Sequence, residues 1–186
     1  GGTIAKVEAA TAAALQRRRG APTLHGVPVG QAQPGGQAIY GARVGYIQRV
    51  DVPALQTYAE KARVRITVTG LPGTFAAPGR ALAYVIADSG DWPDIDVSRI
   101  AQAFLLGDDR QFDDDPRFGL IVLSEIASRA LSRAVNDPGT AIVIIGTLVR
   151  LFVLWSVPSE AGDTGSPVCD RVEVPTISVR DMFDDA

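Results

Sequence analysis

Residues 119–155 read GLIVLSEIASRALSRAVNDPGTAIVIIGTLVRLFVLW, two helix-like runs joined by Asn136-Asp137-Pro138-Gly139-Thr140. In the first run Leu120, Leu123, Ala127, Ala130, Leu131 and Ala134 recur at helical spacing, which makes one stripe apolar. Glu125, Arg129 and Arg133 occupy the other side, with Glu125 and Arg129 in the favourable i,i+4 order. The join works as a helix start: Asp137 can accept from free N–H groups, and Pro138 at the first helical position gives up a donor that had no partner. From Ala141 to Val157 the only charged residue is Arg150. A run apolar nearly all round belongs in a core or a membrane. It is slightly short of the ~20 residues of a normal span and carries Arg150 well inside. It is therefore read as a buried core helix, the second arm of a helical hairpin with a polar elbow.

Outward from the hairpin, residues 3–19 form an Ala-rich amphipathic helix stopped by Gly20. The Gly/Pro/Gln-dense segment that follows reads as a linker. Residues 38–44 and 46–50 are strand-like, and Asp51-Val52-Pro53 starts a short helix. Val64, Ile66 and Val68 alternate with Arg65, Thr67 and Thr69, the pattern of a half-buried strand. Phe75 is placed in the core, and an apolar run covers residues 81–87. Residues 97–106 read as one helix ended by Gly107. Residues 171–174 and 176–179 alternate as a strand interrupted by Pro175, which places it at a sheet edge. Asp181-Met182-Phe183-Asp184-Asp185 opens another helix.

The fold class expected is α+β, a small β-barrel or barrel-sandwich-like sheet packed against the hairpin and further helices. Three segments are expected: 1–36, an N-terminal helix and linker; 37–90, β-rich; and 91–186, mainly helical with an edge strand near the C-terminus, compact with 37–90. Residues 73–82 resemble the hairpins of biotinyl and lipoyl carrier domains. The only lysines, Lys6 and Lys61, lie elsewhere, so no carrier function follows.

Composition bounds the chemistry. The 186 residues are 46% hydrophobic and 21% charged with a net charge of −3, so general affinity for a phosphate backbone, and hence a nucleic-acid partner, is not expected. One cysteine, Cys169, and one histidine, His25, exclude an internal disulfide and a Cys/His zinc site. Any Ser-His or Cys-His pair would have to use His25, which reads as a loop or edge residue in Leu24-His25-Gly26-Val27-Pro28. No cofactor is called for.

Three constellations remain, of which one, Tyr46, Gln48 and Asp51 at the strand-to-helix junction, reads as turn chemistry. Arg129, Ser132, Asn136, Asp137 and Thr140 gather at the elbow, where a small anionic ligand could sit between Arg129 and the start of the second helix. The competing reading gives Asn136 and Asp137 to backbone capping. The run Asp108-Asp109-Arg110-Gln111-Phe112-Asp113-Asp114-Asp115-Pro116 offers carboxylates to a divalent cation through Asp113, Asp114 and Asp115. It lacks the glycine turn and distant glutamate of a calcium loop, so a solvated loop whose last aspartate caps a helix is preferred.

The strings Gly45-Tyr46-Ile47-Gln48-Arg49-Val50-Asp51, Leu71-Pro72-Gly73-Thr74-Phe75, Asp115-Pro116-Arg117-Phe118-Gly119 and Ile126-Ala127-Ser128-Arg129-Ala130-Leu131-Ser132 are followed by Asn136-Asp137-Pro138-Gly139-Thr140-Ala141. In this order they resemble the bacterial "predicted membrane protein" family of unknown function, DUF2254. Arg133 stands where that family usually has proline. The resemblance implies a hydrophobic N-terminal half of several membrane helices, absent from this chain, and no reaction. The expected function is an extramembrane module of a bacterial integral membrane protein that senses a ligand or forms a homo-oligomer. Its expected place is the inner membrane, with the soluble part on the cytoplasmic side, the side Arg17-Arg18-Arg19 favours. The alternatives are a metal-assisted hydrolase using the 108–115 carboxylates and a purely structural assembly domain.

Overall fold

A computed structural model describes residues 2–30, 35–89, 92–157 and 169–186. The fold is α+β, and the chain divides into two compact units whose segments interleave in sequence. One comprises Gly1–Gly20, Gln111–Gly162 and Ile177–Ala186; the other comprises Ala21–Arg110 and Asp163–Thr176.

The second unit holds two sheets. The strands are β1 (Gly26–Pro28), β2 (Gln37–Ile39), β3 (Gly45–Val50), β4 (Val64–Val68), β5 (Phe75–Ala76), β6 (Ala83–Ala87), β7 (Phe104–Gly107) and β8 (Cys169–Val174). The larger sheet runs β1-β8-β4-β6-β2, and the smaller β5-β3-β7. Neither sheet closes on itself among the described residues, so the expected barrel is corrected to two open sheets. Their neighbours explain this: β8 pairs in parallel with β1 and β4, while β6 and β2 extend the other side antiparallel, ending the sheet at short strands.

β4 follows the alternation, with Val64, Ile66 and Val68 buried and Arg65 exposed. Thr67 is buried too, and its hydroxyl donates to Glu173 Oε2 at 3.2 Å. Helix α2 (Val52–Ala62) covers β4 and β8. Asp51 Oδ1 accepts from Ala54 N at 3.0 Å, and Pro53 lies in the first turn, as the helix-start signal requires.

Three local expectations fail for reasons of pairing. Residues 97–106 split into α3 (Val97–Ala101) and β7, because Phe104 to Gly107 pair antiparallel with β3. Phe75 is not in the core: it is exposed on a strand of the smaller sheet, its ring edge-on to Tyr46 at 5.0 Å between centroids. The C-terminal strand lies inside the larger sheet, not at its edge. β8 stops at Val174, so Pro175 falls beyond it and removes no ladder donor.

The first unit is helical: α1 (Thr3–Gly20), α4 (Pro116–Ala130), α5 (Pro138–Ser156) and α6 (Val179–Asp185). Its core is Val7, Leu15, Leu120, Leu123, Ile144, Leu151 and Met182. α1 and α4 approach closely at Gly119, where a Cβ would lie 1.7 Å from Thr11 Oγ1; that hydroxyl donates to Val7 O at 2.7 Å. The basic end of α1 is tied down. Arg17 Nη2 donates to Asp113 O at 2.6 Å, and the buried Arg18 donates through Nη2 to Asp114 O at 2.9 Å. Ser178 and Asp181 form a reciprocal capping box at the start of α6, and Arg117 pairs with Asp185 at its end.

Candidate functional site

The elbow is real, but it begins earlier than its sequence pattern indicates. α4 stops at Ala130, so Leu131 and Ala134 leave the apolar stripe and are exposed. The chain then turns on backbone bonds: Asn136 N donates to Ser132 O and Asp137 N to Ala130 O, each at 2.8 Å. Asn136 adopts φ of 46°, a left-handed conformation that asparagine tolerates better than most residues. Asp137 then caps α5. Its Oδ1 accepts from Thr140 N at 3.1 Å, and its Oδ2 from the Thr140 hydroxyl at 2.6 Å. These bonds, the hydroxyl's first, hold the Asp137 carboxyl below the usual carboxylate range.

Ser132, Asn136, Asp137 and Thr140 are thus brought together, with Arg129 on the exposed last turn of α4. The arrangement satisfies the start of a helix. A carboxylate already occupies the place an incoming anion would take, and its charge repels one.

The acidic run is similarly engaged. Asp113 and Asp114 give their carbonyls to Arg17 and Arg18, while Asp108 pairs with Arg43 at 3.1 Å. Asp115 is 3% exposed and accepts at Oδ1 from Phe118 N at 3.2 Å, capping α4. Among the described residues no three of His, Cys, Asp and Glu come together to hold a metal ion. Asp113 and Asp114 thus hold the end of α1 through their carbonyls, and Asp115 caps the start of α4, the reading preferred for this run. Cys169 is buried, and burial pushes its thiol above the usual range.

The sequence pattern also misassigned α5. Instead of lying inside a core, α5 buries Ala141, Ile144, Thr147 and Leu151 against α1 and α4 and leaves its opposite side bare. Ile142 is 68% exposed, Ile145 60%, Val149 55% and Val153 57%. The reason is geometric. The helices packed on α5 cover one side of it, and the rest of α5 is as apolar as the covered side. Of the described helices, α5 is the one long and apolar enough to cross a membrane. Arg150, at the rim of the bare side, pairs with Glu8 of α1 through Nε to Oε1 at 2.7 Å and Nη2 to Oε2 at 2.9 Å.

Exposed isoleucines and valines aligned on one helix are the property of a surface made to be covered by protein or lipid. The molecule is therefore an α+β module with an uncovered apolar helix. The chain belongs to the DUF2254 family, described as "Predicted membrane protein", whose model matches residues 1–186. Its curated relatives include uncharacterized proteins MT1328 and Rv1290c of two Mycobacterium tuberculosis strains and Mb1321c of Mycobacterium bovis. Each is 32% identical over 108 residues, a stretch that covers 54% of this chain and 20% of the relative. The matched stretch is thus about a fifth of those proteins' length. No solved structure matches.

Proposed function

We propose that this chain is the extramembrane module of a bacterial integral membrane protein and that it works by self-association. The observation that carries this reading is the bare side of α5, where Ile142, Ile145, Val149 and Val153 face solvent in a row. Ile142, Val143, Ile145, Val149, Val153 and, just past the helix, Val157 expose on the order of 500 Å² together, within the size range of the largest and often functional patch on a monomer. The family description supports placement at a membrane. The module sits on the cytoplasmic side of the inner membrane, the side that Arg17, Arg18 and Arg19 favour. A topology reporter fused to the C-terminus tests that placement, and a periplasmic signal contradicts it.

Light scattering on the eluting chain over a wide range of loading concentrations tests self-association. A mass that rises from monomer towards dimer is expected, and a monomer at every concentration contradicts the reading. No partner of another kind has comparable support: the elbow offers an anion a place already taken by Asp137.

A further inference from the structure

The geometry points to a two-fold, antiparallel pairing of α5 with α5 of a second copy, in which each Val149 seats in the notch left by Gly146 of the other chain. This rests on the self-association reading above. Ile142, Val149 and Val153 stand seven and four residues apart on one line of the helix, with Ile145 beside them. Gly146 lies on the same side, and a Cβ built there would meet nothing nearer than Arg150 Nη1 at 3.7 Å. The face is therefore a ridge of branched side chains broken by one open gap.

Only an antiparallel two-fold pair fills the gap with a side chain. In a parallel two-fold pair, Gly146 meets its own copy and no side chain enters the gap, while the branched residues on either side hold the helices apart. In an antiparallel pair, placing Gly146 opposite the partner's Val149 places Val149 opposite the partner's Gly146 by symmetry. The same register sets Ile142 against the partner's Val153, so one axis fills the gap and matches the ridge.

The charge at the rim of the face suits a second copy. α5 has Arg150 alone, and Glu8 of the same chain holds it. Two copies thus bring neutral ion pairs to the rim of the interface instead of opposed cations. The patch is smaller than the roughly 800 Å² per partner of a stable complex, so the free chain forms a reversible dimer. Confinement at a membrane raises the local concentration and strengthens it.

Directed disulfide formation tests the arrangement. Chains carrying Ile142→Cys and chains carrying Val153→Cys are mixed, one of them tagged, and mildly oxidised; the native Cys169 is 1% exposed and stays silent. In the proposed register like positions lie about 16 Å apart, beyond disulfide reach. The mixed dimer is expected at about ten times the yield of either like pair, because only opposed Cβ atoms fall within bonding distance. Gly146→Leu in both chains fills the gap and is expected to remove the product while the thermal melt holds. Like pairs that cross-link as well as the mixed pair, or a product that survives Gly146→Leu, overturn the arrangement and leave self-association standing. A chain that sediments only as monomer overturns both. So does a monomer that partitions into phosphatidylglycerol vesicles, which would assign the face to lipid.

Discussion

Glu8 and Arg150 join α1 to α5 by two hydrogen bonds, Nε to Oε1 at 2.7 Å and Nη2 to Oε2 at 2.9 Å, at the margin of the exposed apolar side of α5. The bidentate geometry fixes the guanidinium plane. Because Arg150 is 60% exposed, solvent and salt screen most of the attraction. Glu8→Gln is therefore expected to lower the melting temperature slightly, with the difference shrinking as salt rises. A large, salt-independent loss would mean that the pair is desolvated.

Acid should weaken the helical unit in a defined window. Arg150 holds the Glu8 carboxyl low, Thr140 does the same for Asp137, and Ser178 for Asp181. A carboxyl depressed in the folded state adds stability that is fully present above its unfolded value, about 4, and is lost as pH falls through the folded value. The melting temperature is expected to be flat from pH 7 to about 5 and to fall below about 4. Asp137→Asn, which still caps but does not titrate, should flatten part of that fall.

The contact of α1 with α4 allows no side chain at residue 119. Gly119→Ala puts a methyl 1.7 Å from Thr11 Oγ1 and 2.7 Å from its Cβ, so the helices must separate. Overpacking of this kind costs about 1–3 kcal/mol, read by chemical denaturation. Thr11→Ala in the same chain should recover only part, since the alanine keeps the offending Cβ.

Caps in different surroundings should differ in worth. Asp115 is buried and caps α4, so Asp115→Ala is expected to cost about 1–2 kcal/mol in denaturant unfolding. Asp137 is exposed, and Asp137→Ala should cost less. At Asn136, with φ of 46°, glycine should be tolerated and valine should not.

Much of this architecture was legible because local chemistry announces it. Asp-x-Pro and Asp-Pro pairs started α2, α4 and α5 where the sequence pattern put them, since a capping carboxylate and a proline each act within one turn. Strand order was not legible. β8 reaches the middle of the larger sheet from far along the chain, and β7 exists only because β3 is there to pair with it. The elbow residues were legible, and the bonds they make are those of a cap, which uses the same residue types as anion binding. The bare face of α5 was hidden by a true observation, that the helix is apolar all round. Periodicity shows which side is apolar, and when every side is, it cannot tell which one the fold will cover. The absence of charge over most of the helix was the signal available.

Gly146 offers a test in which stability and assembly move in opposite directions. Gly146→Ala adds helix propensity in open space, so the folded chain should gain up to about 1 kcal/mol. The same methyl begins to fill the gap, so dimerisation should weaken. A variant that loses both would show that the glycine serves the fold alone.

Sedimentation equilibrium of the chain beside its Val149→Glu variant tests self-association through α5 most directly. Val149 faces solvent, so the variant should melt like the parent. The parent is expected to show a reversible monomer–dimer equilibrium and the variant a monomer throughout. A parent that stays monomeric, or a variant that dimerises equally well, would contradict the account.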